Sequence, residues 1–314
     1  LYCHSKYIQK YALHKILLQI NYSYIRSYHQ QIPLMKKLSL GSIFVGASLL
    51  ATLVSCEKMA VKEEVANPLS SDELNLIKAA GFNSNWVAKQ SDGYLIEGDI
   101  FLNKAQLQEL AGSVYSHNFI VGDEEHYRTN NIVSTPLSGQ RTITVRLTDG
   151  FPAYYSTGLD AALARYNALT DIKIRFERVT TGGDIVITAA NLGTSGGGCI
   201  LGQASGFPTS SGNPSAGFTL SNSSCAISYL STAAKVDEVI AHEIGHCIGF
   251  RHTDYKRRAS CGPGAGESAG TIGAVWIPGT PTNVSGSYNS WMMACTNGDP
   301  TITDVDKIAL REVY

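Results

Sequence analysis

The sequence carries almost no excess charge. Lysine and arginine number 25 against 26 aspartates and glutamates, and charged residues make up 16% of the 314. Such a balance offers no polybasic face, so a nucleic acid or other polyanion is not expected as a partner. No internal repeat is visible. The glycine run "TSGGG" is not followed by Gly-Lys-Ser/Thr, so a phosphate-binding loop is also set aside. The longest apolar run, 38–54, is too short for a comfortable membrane span. Cysteine is absent between 57 and 135.

What is present begins with an export signal. "MKKLSLGSIFVGASLLATLVSC" runs from Met35 to Cys56, with Lys36 and Lys37 as a positive start and 38–54 as the apolar stretch. Translation is expected to start at Met35, with 1–34 lying upstream of it. "LVSC" resembles a bacterial lipobox, in which Cys56 would receive the lipid and become the mature N-terminus. A plain signal peptide ahead of an unmodified Cys56 is the other reading, and both take the chain out of the cytoplasm. Beyond Cys56 five cysteines remain, an odd number in a compartment that permits disulfides. Pairs Cys199–Cys225 and Cys261–Cys295 would each close a glycine-rich loop, although other pairings stay open. Cys247, in the middle of a predicted helix, is expected to be a small buried apolar residue.

The pattern divides the remainder at about 135. Residues 57–135 read as a small module and linker: a helix behind a Ser70/Glu73 capping box, a strand-like "GYLIEGDIFL", a short helix over 104–111, then a polar, irregular stretch. From 136 to 314 strands and helices alternate. "RTITVRLTD", "DIKIRFERVT", "DIVITAAN", "AGFTLSN" and "CAISYLS" read as strands. Helices are expected behind Ser156, behind Ser231 and behind Thr303 with Asp306. In the second of these, Val236, Val239, Ile240, Ile244, Cys247 and Ile248 form the core stripe. The expected fold is α+β: a twisted mixed sheet with two backing helices, then a loop-rich C-terminal part ending in a helix.

The second helix ends in "HEIGHCIGFRHTD". On a helix His242 and His246 lie on one face, about 5–6 Å apart, which suits two imidazoles reaching one zinc ion. Glu243, rotated by about 100°, could reach a water on that ion without being a ligand. Gly249 permits the positive φ that ends the helix, so His252 can return as third ligand. Three protein ligands leave a coordination position free, as in a catalytic zinc site. Asp254 is read as a partner orienting a ligand histidine, with a loop-capping role equally open.

This motif resembles the zinc signature of the metzincin metallopeptidases, in the form of the bacterial HEIGH-type enzymes related to myxobacterial protease B. The resemblance covers roughly 70–314. It implies a methionine turn beneath the metal, for which "NSWMMAC" supplies Ser290 and Met292, and peptide-bond hydrolysis with Glu243 as general base. Relatives of the astacin and serralysin type have a tyrosine two residues past that methionine; Ala294 and Cys295 stand there instead. "LIEGDIFL" is also similar to the astacin-type propeptide segment, so Asp99 would be a latency ligand on the zinc, with Gly98 letting the backbone approach. An ordinary hairpin turn is the competing reading of Glu-Gly-Asp. The expectation is therefore a monomeric, lipid-anchored zinc endopeptidase outside the cytoplasm. Its competitor is a surface lipoprotein that binds zinc or a partner without turnover.

Overall fold

The computed structural model describes residues 68–112, 126–195, 198–262, 266–281, 289–296, 298 and 301–314. Cys56 and the export signal lie outside them. The described residues belong to one compact unit, Lys62–Tyr314, and none of their helices is long and apolar enough to cross a membrane.

An eight-stranded mixed sheet organises the unit, in the order β1-β2-β3-β10-β11-β7-β5-β6. Its strands are β1 (Val87–Gln90), β2 (Gly93–Ile96), β3 (Ile100–Leu102), β5 (Arg141–Leu147), β6 (Ile174–Val179), β7 (Ile185–Ala190), β10 (Gly202–Ala204) and β11 (Gly217–Ser221). The parallel pairs β5/β6, β5/β7 and β7/β11 take their registers from hydrophobic alternation, with Ile143, Val145, Ile174, Phe176, Ile185 and Ile187 all buried. β1, β2 and β3 form an antiparallel meander that joins the sheet where β3 runs parallel to β10, Ala204 opposite Ile100. Shorter strands complete the set: β4 (Tyr127–Arg128) pairs with β12 (Val275–Trp276), and β8 (Thr194–Ser195) with β9 (Gly198–Cys199). The stretch read as a linker is thus tied down from 126 onward, since Thr129 N also donates to Gly249 O at 2.8 Å.

Two helices back the sheet, α3 (Ala153–Asn167) and α5 (Ala233–Cys247). They approach closely at Gly158, where a Cβ would sit 2.7 Å from Val236 Cγ1. The expected stripe of α5 is buried throughout: Val236, Val239, Ile240, Ile244, Cys247 and the following Ile248. Arg165 on α3 grips Asp237 on α5 with Nε and Nη2, and Tyr166 donates to Ala241 O at 2.7 Å. α1 (Ser71–Ala79) and α6 (Asp304–Val313) carry the capping boxes expected of Ser70/Glu73 and Thr303/Asp306, and α2 spans Lys104–Gly112.

Three local readings need correction. "CAISYLS" contains the short helix α4 (Ser224–Tyr229) rather than a strand, because the Ser223 hydroxyl accepts from Ala226 N and caps a helical turn. α3 starts before Ser156, behind Pro152, whose missing N–H costs nothing at a helix start. The cap of α5 is Thr232, not Ser231; its hydroxyl accepts from Lys235 N at 3.3 Å. The disulfides form as the loop argument suggested, Cys199–Cys225 and Cys261–Cys295, and Cys247 is free and buried.

Tyr166 also accepts from Trp291 Nε1 at 2.9 Å, so its hydroxyl joins both helices to the loop ahead of α6. Tyr166→Phe should lower unfolding stability by about 1–3 kcal/mol, because Trp291 Nε1 and Ala241 O both lose a buried partner. Urea denaturation followed by tryptophan fluorescence would check this; a midpoint equal to wild type would contradict it.

Candidate active site

Helix geometry sets the first two imidazoles. His242 and His246, one turn apart near the end of α5, have ring centroids 4.8 Å apart. Gly249, at φ +107, reverses the chain, and its position leaves no room for a side chain: a Cβ would meet Thr129 Oγ1 at 3.0 Å. That reversal brings His252 to the others, its ring centroid 5.4 Å from His242 and 4.8 Å from His246. One ligand atom from each of Asp99, His242, His246 and His252 lies within 4.8 Å of the others.

Backbone carbonyls fix the tautomers. His242 Nδ1 lies 2.9 Å from Trp291 O and His246 Nδ1 lies 2.9 Å from Phe250 O. A carbonyl can only accept, so both Nδ1 atoms carry hydrogen, and in the neutral rings both Nε2 atoms present lone pairs. These Nε2 atoms face each other at 3.1 Å. His252 Nδ1 contacts Glu267 Oε1 closely, and its Nε2 lies 2.6 Å from Asp99 Oδ2. The same Asp99 oxygen is 3.3 Å from His242 Nε2 and 3.4 Å from His246 Nε2, while Asp99 Oδ1 is buried with no hydrogen-bond partner among the described residues. Lone pairs converging at this range repel unless positive charge sits among them. Three imidazole nitrogens with a carboxylate oxygen form a donor set that suits zinc, so the residues present fit the ion.

The charges around this point respond to burial and to one another. Burial brings the His246 imidazole down to about 4. Burial also penalises charge on His252, yet the Asp99 and Glu267 carboxylates outweigh it and lift the group to about 10. Burial, reinforced by Asp99, holds the Glu243 carboxyl well above the usual carboxylate range. Glu243 is 2% exposed, and its Oε2 is buried without a hydrogen-bond partner among the described residues. Room for this carboxylate comes from Gly202 on β10, where a Cβ would lie 2.2 Å from Glu243 Oε1.

Met292 lies under the helix. A Cβ on Gly245 would come within 2.2 Å of Met292 Sδ, so the glycine inside "HEIGH" is a packing requirement. The turn is held by Thr253 N donating to Met292 O at 2.7 Å and by the Ser290 hydroxyl, which accepts from Met292 N and meets Thr253 Oγ1 at 2.7 Å. Asp254 does not orient a histidine. Its carboxylate accepts from Ser260 N, Ser260 Oγ and Ala294 N, which makes it the cap of the 254–260 loop. The carboxylate behind His252 Nδ1 is that of Glu267, which the sequence does not single out. It stands as the sole acid in a glycine-rich run, and only that isolation could have flagged it. Gly202 was hidden in the same way, among glycines read as loop.

Among curated proteins there is no match. Two structures of myroilysin resemble it: one at 20% identity over 41% of this chain and 57% of the other, TM-score 0.27, and one at 18% over 58% and 86%, TM-score 0.33. High choriolytic enzyme 1, a hatching enzyme zinc-protease from Oryzias latipes (Medaka fish), resembles it at 15% identity over 58% of this chain and 94% of the other, TM-score 0.34. The chain therefore spans 57% of the first myroilysin chain. The model of the dual-action HEIGH metallo-peptidases matches residues 94–314, from the Asp99 hairpin through the histidines to the last helix. The chain belongs to the dual-action HEIGH metallo-peptidase family.

Proposed function

We propose that this protein is a zinc-dependent endopeptidase, held outside the cytoplasm by a lipid on Cys56, that hydrolyses peptide bonds in protein or peptide substrates. The observation that carries this reading is the buried, unpartnered Glu243 Oε2 beside three imidazoles whose Nε2 atoms converge. His242, His246 and His252 would hold the zinc through Nε2. When bound, zinc supplies Lewis acidity that brings the pKa of a coordinated water to about 7. Glu243 takes a proton from the attacking water and hands it to the leaving amine. Trp291 O and Phe250 O hold His242 and His246 in the metal-binding tautomer, and Glu267 does the same for His252. Met292 supplies an apolar, polarisable floor and no ligand. A protein that bound metal without turnover would have no use for an unpartnered carboxylate at this point.

Asp99 is the latch of a zymogen in this reading. Its Oδ2 stands among the three imidazole nitrogens, where an attacking water would have to sit. Gly98, at φ +89, turns the chain so that this carboxylate points inward. The hairpin reading of Glu-Gly-Asp is compatible with the latch, since the turn between β2 and β3 is what presents Asp99. The two disulfides, Cys199–Cys225 and Cys261–Cys295, fit an oxidising compartment and so an exported chain.

Glu243→Gln should retain zinc, measured by atomic absorption, while losing on the order of 10²–10⁴-fold in kcat/KM on a fluorogenic peptide. Undiminished turnover would remove Glu243 from the chemistry. Asp99→Ala in the full chain should raise turnover above the wild-type chain, and an unchanged rate would discard the latch. Dialysis against a chelator should abolish hydrolysis, with zinc restoring it; activity that persists in metal-free protein would overturn the assignment of the cofactor.

A further inference from the structure

The turn that delivers Asp99 brings a second carboxylate with it, and that one goes elsewhere. Glu97 is 1% exposed, and both of its oxygens accept from Arg251 Nη2, at 2.6 and 2.7 Å. Its backbone carbonyl accepts from Arg258 Nη1 at 2.7 Å. Glu97 holds φ +56, a conformation non-glycine residues adopt only when their surroundings compel it. Here the compulsion is visible: within three residues the chain must place one carboxylate on the histidines and another on an arginine.

Both arginines follow α5, and Glu267 joins them to the active site. Its Oε1 contacts His252 Nδ1 and lies 2.5 Å from Arg258 Nη1, and its Oε2 lies 3.5 Å from Arg251 Nη2. Arg251 is 1% exposed and Arg258 4%, and the Nε of each is buried with no hydrogen-bond partner among the described residues. Glu267 is thus shared among both guanidinium groups and the His252 ring, and Glu97 supplies the carboxyl that completes Arg251. Without the 97–99 turn the pocket would hold two guanidinium groups and one carboxylate, next to a histidine of the metal site. A buried guanidinium left short of an anion is costly, so whatever replaces the turn is under pressure to restore one.

We propose that the Arg251–Arg258 pocket is an acidic subsite of the cleft: once the turn is withdrawn, it takes the side-chain carboxylate of a substrate glutamate a few residues from the bond that is cut. This rests on the endopeptidase reading above. Glu97 acts as the resident mimic of that glutamate, so the same pocket holds the turn in the latent chain and selects substrate in the active one. Discrimination is expected because glutamine or alanine in that place supplies no negative charge to the buried guanidinium, and the glutamine NH2 would add a donor where only donors already stand.

The test uses the zinc-loaded full chain, as isolated and after limited trypsin treatment with the trypsin then inhibited. A proteome-derived peptide library is digested and the cut sites are read by mass spectrometry. Glutamate should be enriched roughly tenfold over glutamine at one fixed position near the cut. Arg251→Lys should retain part of that ratio and Arg251→Met should bring it to unity. Active cleavage with no acidic preference overturns the subsite and leaves the peptidase reading standing. Enrichment that survives in Arg251→Met overturns the assignment to this pocket, and no cleavage by any form removes the peptidase reading along with it. Should Arg251→Met fail to fold, wild-type protein decides the matter by competition: acetyl-Glu-Gly-Asp-amide must inhibit roughly tenfold better than acetyl-Gln-Gly-Asp-amide, and equal inhibition sinks the subsite.

Discussion

Two imidazole lone pairs aimed at each other across 3.1 Å cannot rest there without positive charge between them. The arrangement is imposed from behind, by carbonyls of Trp291 and Phe250 that accept only from Nδ1–H. Much of the surrounding structure maintains that condition. Trp291 is positioned by its bond to Tyr166, whose hydroxyl also holds α5, and its backbone N donates to Asp306 at the start of α6. The last helix of the chain is in this way connected to the orientation of a histidine in the middle of it.

Close approach is the second recurring theme. Gly245 admits the Met292 sulfur, Gly202 admits the Glu243 carboxylate, and Gly158 lets α3 settle against α5. At each place a single methyl group would push apart two parts of the site or its support. The glycines at 245 and 202 therefore shape the site without offering a functional group. They let the Met292 sulfur lie against α5 and the Glu243 carboxylate lie against β10 more closely than ordinary side-chain packing allows.

Charge is concentrated where the fold can least dilute it. Glu97, Asp99, Arg251, Arg258, Glu267 and His252 form one buried group spanning the β2–β3 turn, the segment after α5 and the loop beyond it. Buried ion pairs of this kind contribute little net stability, because desolvation offsets attraction, but losing one partner is severe. The turn is consequently held firmly.

Much of the site could be read along the chain because its geometry is local. The spacing of His242 and His246 follows from the pitch of a helix, the reversal at Gly249 from the freedom of a residue without Cβ, and the boxes at Ser70 and Thr303 from side chains that reach three residues on. The disulfides were suggested by the loops they close. Contacts made between distant segments left no such trace. Nothing periodic marks Glu267 as the partner of His252 rather than Asp254, and Gly202 looks like any loop glycine. The bond between Glu97 and Arg251 joins residues 154 positions apart. What the order of residues determined was a helix with two histidines on one face and the return that brings the third beside them. What only the tertiary structure decided was which distant carboxylates and carbonyls surround it, because those partners are chosen by the packing of the sheet and not by any repeat along the backbone.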